Sequence, residues 1–234
     1  MRPATRFEIK YRILPERAEE VRRAIARHME PDAFGEGGSA RYDVHSLYLD
    51  NADWRIFRET RNGNFARFKL RARIYDFEGV SPVFLEVKAR QGEAMTKTRA
   101  VVSREDGAAV LAGGLPSCPS TAALDNFRDH MDRYRAYPRA WVTYERSAWV
   151  GGDRGLVRVT FDSAIRCGHP TEGLAPPERW LPLPLVEGLV VLEIKYSGSY
   201  PRWVAEIVRT HDLERKSMSK YRHAVDVLSG GSAS

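Results

Sequence analysis

The segment that most constrains the fold of this chain runs from Asn64 to Tyr75 and reads NFARFKLRARIY. Its basic and apolar residues alternate, as Arg67, Lys69, Arg71 and Arg73 against Phe68, Leu70, Ala72 and Ile74. Because a β-strand sends successive side chains to opposite faces, the segment predicts a strand with one cationic and one apolar face. Neighbouring charges on the cationic face lie about 7 Å apart and repel one another, so an anion or water must lie among them.

Seven further segments have a strand pattern, and several of them repeat this alternation. Together with the first they predict eight strands, near residues 6–13, 41–50, 64–75, 82–90, 95–103, 139–149, 155–162 and 189–196. Helical patterns occur near residues 15–29, 54–57, 121–137, 201–213 and 217–228, with one further helical turn between 105 and 120. Pro15 begins the first helix, and Asn51 or Asp53 is expected to cap the second. Since no internal repeat or second core is evident, we expect a single domain over 5–229 and a frayed tail over 230–234.

An acid and a base two residues apart recur on three of these strands, as Glu8 and Lys10, Glu86 and Lys88, and Glu193 and Lys195. Each pair lies on one face of its strand, while the other face is apolar and suits the apolar stripes of the helices. If the helices cover the outside, the charged faces point toward one another across a closed sheet. We therefore predict an α+β fold, an eight-stranded antiparallel closed β-barrel with helices packed outside and a polar tunnel inside.

The chemistry of such a tunnel follows from its charges. Unpaired buried charge is costly, so the excess of arginine and lysine must be balanced by a bound anion or by counter-charge. Phosphate oxygens accept paired hydrogen bonds from arginine and compact point-charge contacts from lysine. The few carboxylates suit Mg²⁺ or Mn²⁺, which bridges phosphate oxygens and neutralises developing charge. The residues by themselves predict a phosphate-handling tunnel.

Charge and composition limit the other possibilities. The net charge of +6 favours an anionic partner. No apolar stretch is long enough to cross a bilayer, and the N-terminal MRPATRFEIK lacks the apolar core of a signal peptide, so we expect a cytoplasmic protein without direct membrane insertion. Nucleic acid is not expected as a partner, because glutamates interrupt the basic faces and no helix-turn-helix or zinc-finger spacing occurs.

Eight short segments resemble, in the same order, the VTC domain, the catalytic polyphosphate polymerase domain of the vacuolar transporter chaperone complex. They are FEIKY (7–11), VHSLYLD (44–50), FKLRARIY (68–75), FLEVK (84–88), YERSA (144–148), VRVTFD (157–162), LEIKY (192–196) and SMSKY (217–221). That domain belongs to the CYTH, or triphosphate tunnel metalloenzyme, superfamily. The resemblance implies a tunnel that binds triphosphate or polyphosphate with Mn²⁺ or Mg²⁺. It also implies transfer of the γ-phosphate of a nucleoside triphosphate onto a growing polyphosphate chain.

The resemblance also assigns residues. Basic phosphate-binding positions match Lys10, Arg71, Arg73, Lys88, Lys97, Arg146 and Lys220, and Lys216 matches with a looser spacing. The metal-binding glutamate matches Glu193, and Glu8 and Glu86 are further metal candidates. Strand alternation adds Arg67, Lys69, Arg158 and Lys195 to the phosphate-binding set. Of these residues, catalysis is expected to depend most on Arg71, Arg73, Lys88 and Glu193.

One departure from the superfamily's sequence pattern bears on which activity is expected. The wider superfamily opens with E-x-E-x-K, whereas Arg6 takes the place of the first acid here. The missing carboxylate favours a polymerase over a triphosphate hydrolase. A tripolyphosphatase and a non-catalytic polyphosphate-binding module stay open as alternatives, and no side-chain nucleophile is expected. Since the sequence contains neither a phosphate-sensing SPX domain nor membrane helices, coupling to membrane translocation would need a separate membrane partner.

Overall fold

The computed structural model describes residues 6–32, 41–92, 94–151, 157–216 and 218–230. The chain divides into two compact units. The first unit comprises Met1–Asp43, Tyr144–Ile165 and Pro184–Met218, and the second comprises Val44–Thr143, Arg166–Leu183 and Ser219–Ser234. The predicted tail lies outside the described residues except for Gly230, and the assignment of 5–229 to one domain stays a prediction.

The strands form one antiparallel sheet. In chain order they are β1 (Arg6–Ile13), β2 (Met29–Pro31), β3 (Arg41–Asp50), β4 (Ala66–Ile74), β5 (Val83–Gln91), β6 (Ala94–Val102), β7 (Tyr137–Gly151), β8 (Val157–Gly168), β9 (Leu181–Pro182) and β10 (Val190–Ser197). Their order is β1-β10-β8-β7-β3-β4-β5-β6, with β2 paired to β7 and β9 paired to β8. Within the described part of the chain this order is an open path that begins at β1 and ends at β6.

The eight strands of this path are the eight that the sequence predicts, so the antiparallel α+β architecture is confirmed. The two short strands β2 and β9 were not predicted, because three and two residues are too few to show a period of two. Closure of the sheet into a barrel stays a prediction.

Six α-helices and one short 3₁₀ helix, Pro184–Val186, are present among the described residues. The α-helices are α1 (Pro15–Ile25), α2 (Arg55–Arg61), α3 (Arg104–Leu111), α4 (Ala122–Tyr134), α5 (Arg202–Thr210) and α6 (Lys220–Leu228). As predicted, α1 begins at Pro15, but it ends at Ile25 because residues 26–28 turn the chain into β2. None of these helices combines the length and the apolar character that a bilayer crossing requires.

In the first unit, α1 and α5 pack on the apolar face of β1, β8 and β10. The core includes Val21 and Ile25 of α1, Val204 and Ile207 of α5, and Tyr11, Val159, Leu192 and Ile194 of the strands. Each of these helices has an apolar stripe that removes the strands from water on one side. Because side chains alternate along a strand, the charged residues of β1, β8 and β10 lie on the opposite face.

In the second unit, α2, α3 and α4 pack on the apolar face of β4 and β5. The core includes Ile56 of α2, Val110 and Leu111 of α3, Leu124 and Phe127 of α4, and Leu70, Ala72, Leu85 and Val87 of the strands. The basic residues of β4, β5 and β6 therefore lie on the face away from these helices.

Asp50, at the end of β3, fixes two helices of the second unit. Its buried carboxylate accepts the backbone N–H groups of Ile56 and Phe57 at 2.9 and 2.8 Å, which caps α2. It also accepts the Tyr221 hydroxyl at 2.5 Å, which anchors the start of α6 beside β3. The expected cap Asn51 contributes as well, since its side chain accepts the N–H of Arg55 at 2.9 Å.

Candidate functional site

The charged face of the second unit has a cross-strand row, or rank, of four residues that lie directly opposite one another on adjacent strands. Tyr48 of β3 faces Arg71 of β4, Arg71 faces Glu86 of β5, and Glu86 faces Arg99 of β6. Directly opposed residues in an antiparallel sheet share a face and have Cβ atoms about 5 Å apart. This register brings side chains from four strands into one polar group.

Glu86 is the centre of this group and is fully buried. Its carboxylate accepts Arg71 Nε at 2.5 Å, Lys97 Nζ at 2.5 Å and Arg99 Nη2 at 2.6 Å, and Arg73 Nη2 lies 4.0 Å away. Burial by itself would raise the pKa of Glu86, but the charges of Arg71, Arg73 and Lys97 hold that pKa well below its usual range. Glu86 is thus an ionised carboxylate surrounded by four cations.

A second rank consists of lysines alone. Lys69 of β4 faces Lys88 of β5, and Lys88 faces Lys97 of β6. Like charges directly opposite each other destabilise a sheet. Burial, together with Arg71 and Arg99, lowers the pKa of Lys97 to about 8 in spite of the nearby Glu86 carboxylate. This rank gains stability from any bound anion.

Two buried polar atoms near the arginines lack hydrogen-bond partners among the described residues. They are Nε of Arg73 and the hydroxyl oxygen of Ser46. These two residues face each other across β3 and β4. Because buried polar atoms are almost always satisfied, these two atoms are candidates to contact an anion oxygen or a water.

Tyr48 is buried in the same region and stacks on Tyr221 with ring centroids 4.6 Å apart. Its hydroxyl lies 3.5 Å from Nη1 of Arg71, which donates to it. Burial alone would raise the pKa of Tyr48, but Arg71 and Lys69 outweigh it and lower that pKa to about 8. The lowered pKa of Tyr48 therefore reflects the excess of positive charge on this face.

The charged face of the first unit is arranged differently. Glu8 faces Lys195, and Lys10 faces Glu193, across β1 and β10. Lys10 Nζ lies 2.9 Å from Glu8 and 3.7 Å from Glu193, and Lys195 pairs with Glu193 and lies 3.9 Å from Glu8. Burial would lower the pKa of Lys10, but the two glutamates raise it above its ordinary value. Two acids and two bases thus neutralise one another.

The two predicted arginines of the first unit, Arg146 and Arg158, also have carboxylate partners. Arg146 donates two hydrogen bonds to the fully buried Asp162, at 2.7 and 2.8 Å. Arg158 lies 2.7 Å from Asp32 and donates to the Tyr42 hydroxyl at 3.3 Å. The paired geometry of Arg146 and Asp162 is that of a strong, charge-assisted interaction.

The structure brings together most of the predicted site residues within each unit. Lys69, Arg71, Arg73, Lys88, Lys97 and Glu86 share one face of the second unit, and Glu8, Lys10, Glu193, Lys195 and Arg158 share one face of the first. The side chain of Arg67 instead donates to the backbone carbonyls of Gly63 and Asn64. Lys216 pairs with Glu214 through its side chain. Lys220 is the first residue of α6, next to Ser219, whose hydroxyl accepts Lys69 Nζ at 2.9 Å.

Several residues of the two faces were not predicted as site residues. They are Ser46, Tyr48 and Arg99 in the second unit and Thr160 and Asp162 in the first. Arg99 and Thr160 have the same strand parity as predicted neighbours, which was the available signal. Ser46 and Tyr48 are polar residues in an otherwise buried stretch of β3, and that pattern was not used.

The described residues contain no group of three or more histidine, cysteine, aspartate or glutamate side chains placed to hold a metal. Mg²⁺ usually needs only one or two carboxylates in addition to substrate phosphates and water. Glu8 and Glu193 fit that requirement, because both carboxylates contact the same two lysine ammonium groups and so converge on one place. Glu86 does not fit, because four cations already surround it.

Comparison with known proteins identifies a protein family that matches this chain. A model of the VTC domain matches residues 5–229. None of the curated proteins matches this chain. Among solved structures, that of the PH1819 protein from Pyrococcus horikoshii OT3 matches with a TM-score of 0.47 and 14% sequence identity, over 94% of this chain and 99% of that one.

Proposed function

Because this chain belongs to the VTC domain family, which lies in the CYTH-like superfamily, we propose that it is a polyphosphate polymerase. The family supports a role in polyphosphate metabolism, and the proposal adds the reaction. The protein would transfer the γ-phosphate of a nucleoside triphosphate onto the end of a polyphosphate chain.

One observation supports this proposal above all others, the imbalance of charge on β4, β5 and β6. Apart from Arg67 and Arg90, whose side chains donate to nearby backbone carbonyls, six basic side chains share that face with a single carboxylate, Glu86. The six are Lys69, Arg71, Arg73, Lys88, Lys97 and Arg99. A linear phosphate chain carries negative charge at regular intervals, and its oxygens accept both the paired hydrogen bonds of arginine and the point charge of lysine.

The chain's own residues account for most of the proposed catalysis. Arg71 and Arg73 bind and orient the phosphate that is transferred, and Lys88 neutralises charge that develops on its oxygens. The terminal phosphate of the acceptor chain attacks in line, so no side-chain nucleophile is needed. Ser46 gives a further hydrogen-bonding group beside Arg73.

The proposal also includes a divalent metal, which carboxylates of the first unit would hold. Glu193 and Glu8 would hold Mn²⁺ or Mg²⁺, and Lys10 and Lys195 hold both carboxylates in place. When bound, such an ion would supply Lewis-acid stabilisation of the charge on the phosphate. Glu86 is left out of the metal site because of the cations around it.

The remaining parts of the proposal come from the family resemblance. The sheet would close into a barrel, and Arg146, Arg158, Lys216 and Lys220 would add basic groups to its tunnel. We place the protein in the cytoplasm, where nucleoside triphosphate is available. Any coupling to membrane transport would need a separate membrane partner.

Two other activities are tested by the same experiment. An inorganic triphosphate hydrolase would use the same phosphate contacts and release orthophosphate. A polyphosphate-binding module without catalysis would also use the same phosphate contacts, but it would show no metal-dependent turnover.

The test is to incubate the purified protein with ATP and Mn²⁺ and to separate the products by chain length. Polymerase activity gives lengthening polyphosphate, whereas hydrolysis of added tripolyphosphate gives orthophosphate and pyrophosphate and no longer chains. Arg73→Ala should lower turnover by at least about 100-fold, the usual effect of losing one preorganised donor. Arg55→Ala is the matched control, because Arg55 is exposed on α2 and pairs with Glu59.

The outcomes separate the three activities. Chain synthesis in the wild-type protein and in Arg55→Ala, but not in Arg73→Ala, supports the polymerase. Tight tripolyphosphate binding without metal-dependent turnover supports the binding module. A wild-type protein that makes no chain, together with an Arg73→Ala variant that binds tripolyphosphate normally, would contradict the proposed site.

A further inference from the structure

Glu86 occupies an unusual position for a carboxylate in an anion-binding site. It lies on β5 between Arg71 and Arg99 in the strand register, and it has no solvent exposure. Arg99 donates to it through both Nε and Nη2, at 2.7 and 2.6 Å. The two oxygens of Glu86 therefore take up donors of the kind that would otherwise bind a phosphate group.

A carboxylate in this position acts on a phosphate ligand in two opposing ways. It holds the basic side chains together, which favours binding by preorganisation. It also repels the ligand and competes for the same donors, which opposes binding. The two effects differ in sign, so an experiment can tell which one dominates.

We propose that Glu86 is an internal counter-anion that lowers the affinity of the second unit for phosphate. A polyphosphate chain is then bound but can still move along the site and dissociate. This inference rests on the proposed function and adds to it a residue that sets affinity and release. Glu86 acts through Arg71, Lys97 and Arg99, and it is a positioning residue that does not contact the reacting atoms.

The geometry around Lys97 and Arg73 supports this role. Lys97 Nζ lies 2.5 Å from Glu86, and Lys97 also belongs to the rank of three lysines. Nε of Arg73 is buried without a hydrogen-bond partner, although Glu86 lies 4.0 Å from Nη2 of the same guanidinium. Glu86 thus neutralises part of the cationic face and leaves a donor for an incoming oxygen.

The test compares the affinity of the wild-type protein and of Glu86→Gln for inorganic tripolyphosphate, measured by titration calorimetry at fixed pH. Glutamine keeps the size and one acceptor oxygen of glutamate and removes the charge. We expect Glu86→Gln to bind tripolyphosphate about tenfold more tightly, which corresponds to about 1.4 kcal/mol. The difference should shrink as salt is raised, because salt screens charge interactions.

Turnover provides a second readout that a purely structural role would not move in the same direction. With ATP and Mn²⁺, Glu86→Gln should show a lower KM and a lower kcat, because a product that binds more tightly leaves more slowly. Glu86→Asp keeps the charge and should stay within about threefold of the wild-type affinity. Asp76→Asn is the matched control, since Asp76 pairs with Arg104 at 2.9 Å in the same unit, away from the basic ranks.

A charge-matched pair of variants keeps the test decisive if Glu86→Gln does not fold. Lys97→Gln alone removes a cation and should weaken tripolyphosphate binding. Adding Glu86→Gln to it restores the wild-type net charge, so the double variant should bind more tightly than Lys97→Gln does. The effect of Glu86→Gln in this background has the same expected sign as in the wild-type chain.

The possible results distinguish this inference from the proposed function. If the wild-type protein binds tripolyphosphate and Glu86→Gln binds equally or more weakly, the counter-anion role is wrong and the proposed function stands. If the wild-type protein does not bind tripolyphosphate at all, both are wrong. Tighter binding by Glu86→Gln, with Asp76→Asn unchanged, supports the inference.

Discussion

In the first unit, each predicted basic strand residue contacts at least one carboxylate, whereas in the second unit four basic residues on β4–β6 share a single one. Lys10 and Lys195 contact Glu8 and Glu193, and Arg146 is paired with Asp162. In the second unit, Glu86 is the common partner of Arg71, Arg73, Lys97 and Arg99. The same residue types thus give one face whose cations are matched by carboxylates and one face with an excess of cations.

The difference shows what each face can contribute. Compensated ion pairs hold side chains in place and keep carboxylates ionised, which suits a structural or metal-holding role. A face with an excess of cations is less stable by itself and gains stability when an anion binds. Mutations should therefore mainly lower stability in the first unit and mainly lower ligand affinity in the second.

The largest effect is expected from Asp162→Asn in the first unit. This change leaves the buried guanidinium of Arg146 without its counter-charge, so the free energy of unfolding should fall by about 3–5 kcal/mol. Denaturation in urea measures the loss. Asp32→Asn is the control, because its partner Arg158 is partly exposed and the change should cost about 1 kcal/mol or less. Equal losses for the two variants would contradict the importance of burial.

A smaller effect, of a different kind, is expected from Lys88→Met in the second unit. Lys88 lies between Lys69 and Lys97, so its removal relieves like-charge repulsion and should leave the free energy of unfolding unchanged or slightly higher. Tripolyphosphate affinity should nevertheless fall by about 10- to 100-fold. Calorimetric titration and urea denaturation of the same sample measure both quantities. A variant that loses stability but keeps its affinity would reverse the assignment of the two faces.

The next effect is a pH dependence confined to the second unit. Burial and nearby arginines lower the pKa of Lys97 to about 8, so Lys97 is charged below that pH and loses its charge above it. Tyr48, whose pKa is also about 8, gains a negative charge over the same range. Both changes weaken anion binding as the pH rises through 8. We expect tripolyphosphate affinity to fall by about tenfold between pH 7 and 9.5.

A double variant provides the control for this pH dependence. Lys97→Arg keeps its charge at every pH in this range, and Tyr48→Phe cannot ionise. The double variant should therefore show only the pH dependence of the ligand itself. The raised pKa of Lys10 keeps that residue charged throughout, so Lys10 should not contribute. An identical pH dependence in the wild-type protein and the double variant would rule out Lys97 and Tyr48 as its source.

The sequence predicts the elements better than it predicts the site. Strand alternation is visible in the residues themselves, so all eight strands of the path and the apolar faces under the helices could be predicted. The register between strands is not visible, because it is set by pairing between distant segments. Glu86 illustrates the consequence, since the sequence suggests a metal ligand and the register surrounds it with four cations.

Arg67 is expected to give the smallest effect, and it tests whether strand parity alone identifies a phosphate-binding residue. Arg67 and Arg73 have the same parity on β4, but Arg67 donates to the carbonyl of Gly63 at 3.3 Å and to that of Asn64. Since these bonds direct its side chain toward the preceding turn, Arg67→Ala should change tripolyphosphate affinity by less than about twofold. Arg73→Ala, measured by the same titration, is the positive control. If Arg67→Ala weakens binding as strongly as Arg73→Ala does, the anion-binding face extends to the end of β4, and contacts with the turn are a poor guide to its limit.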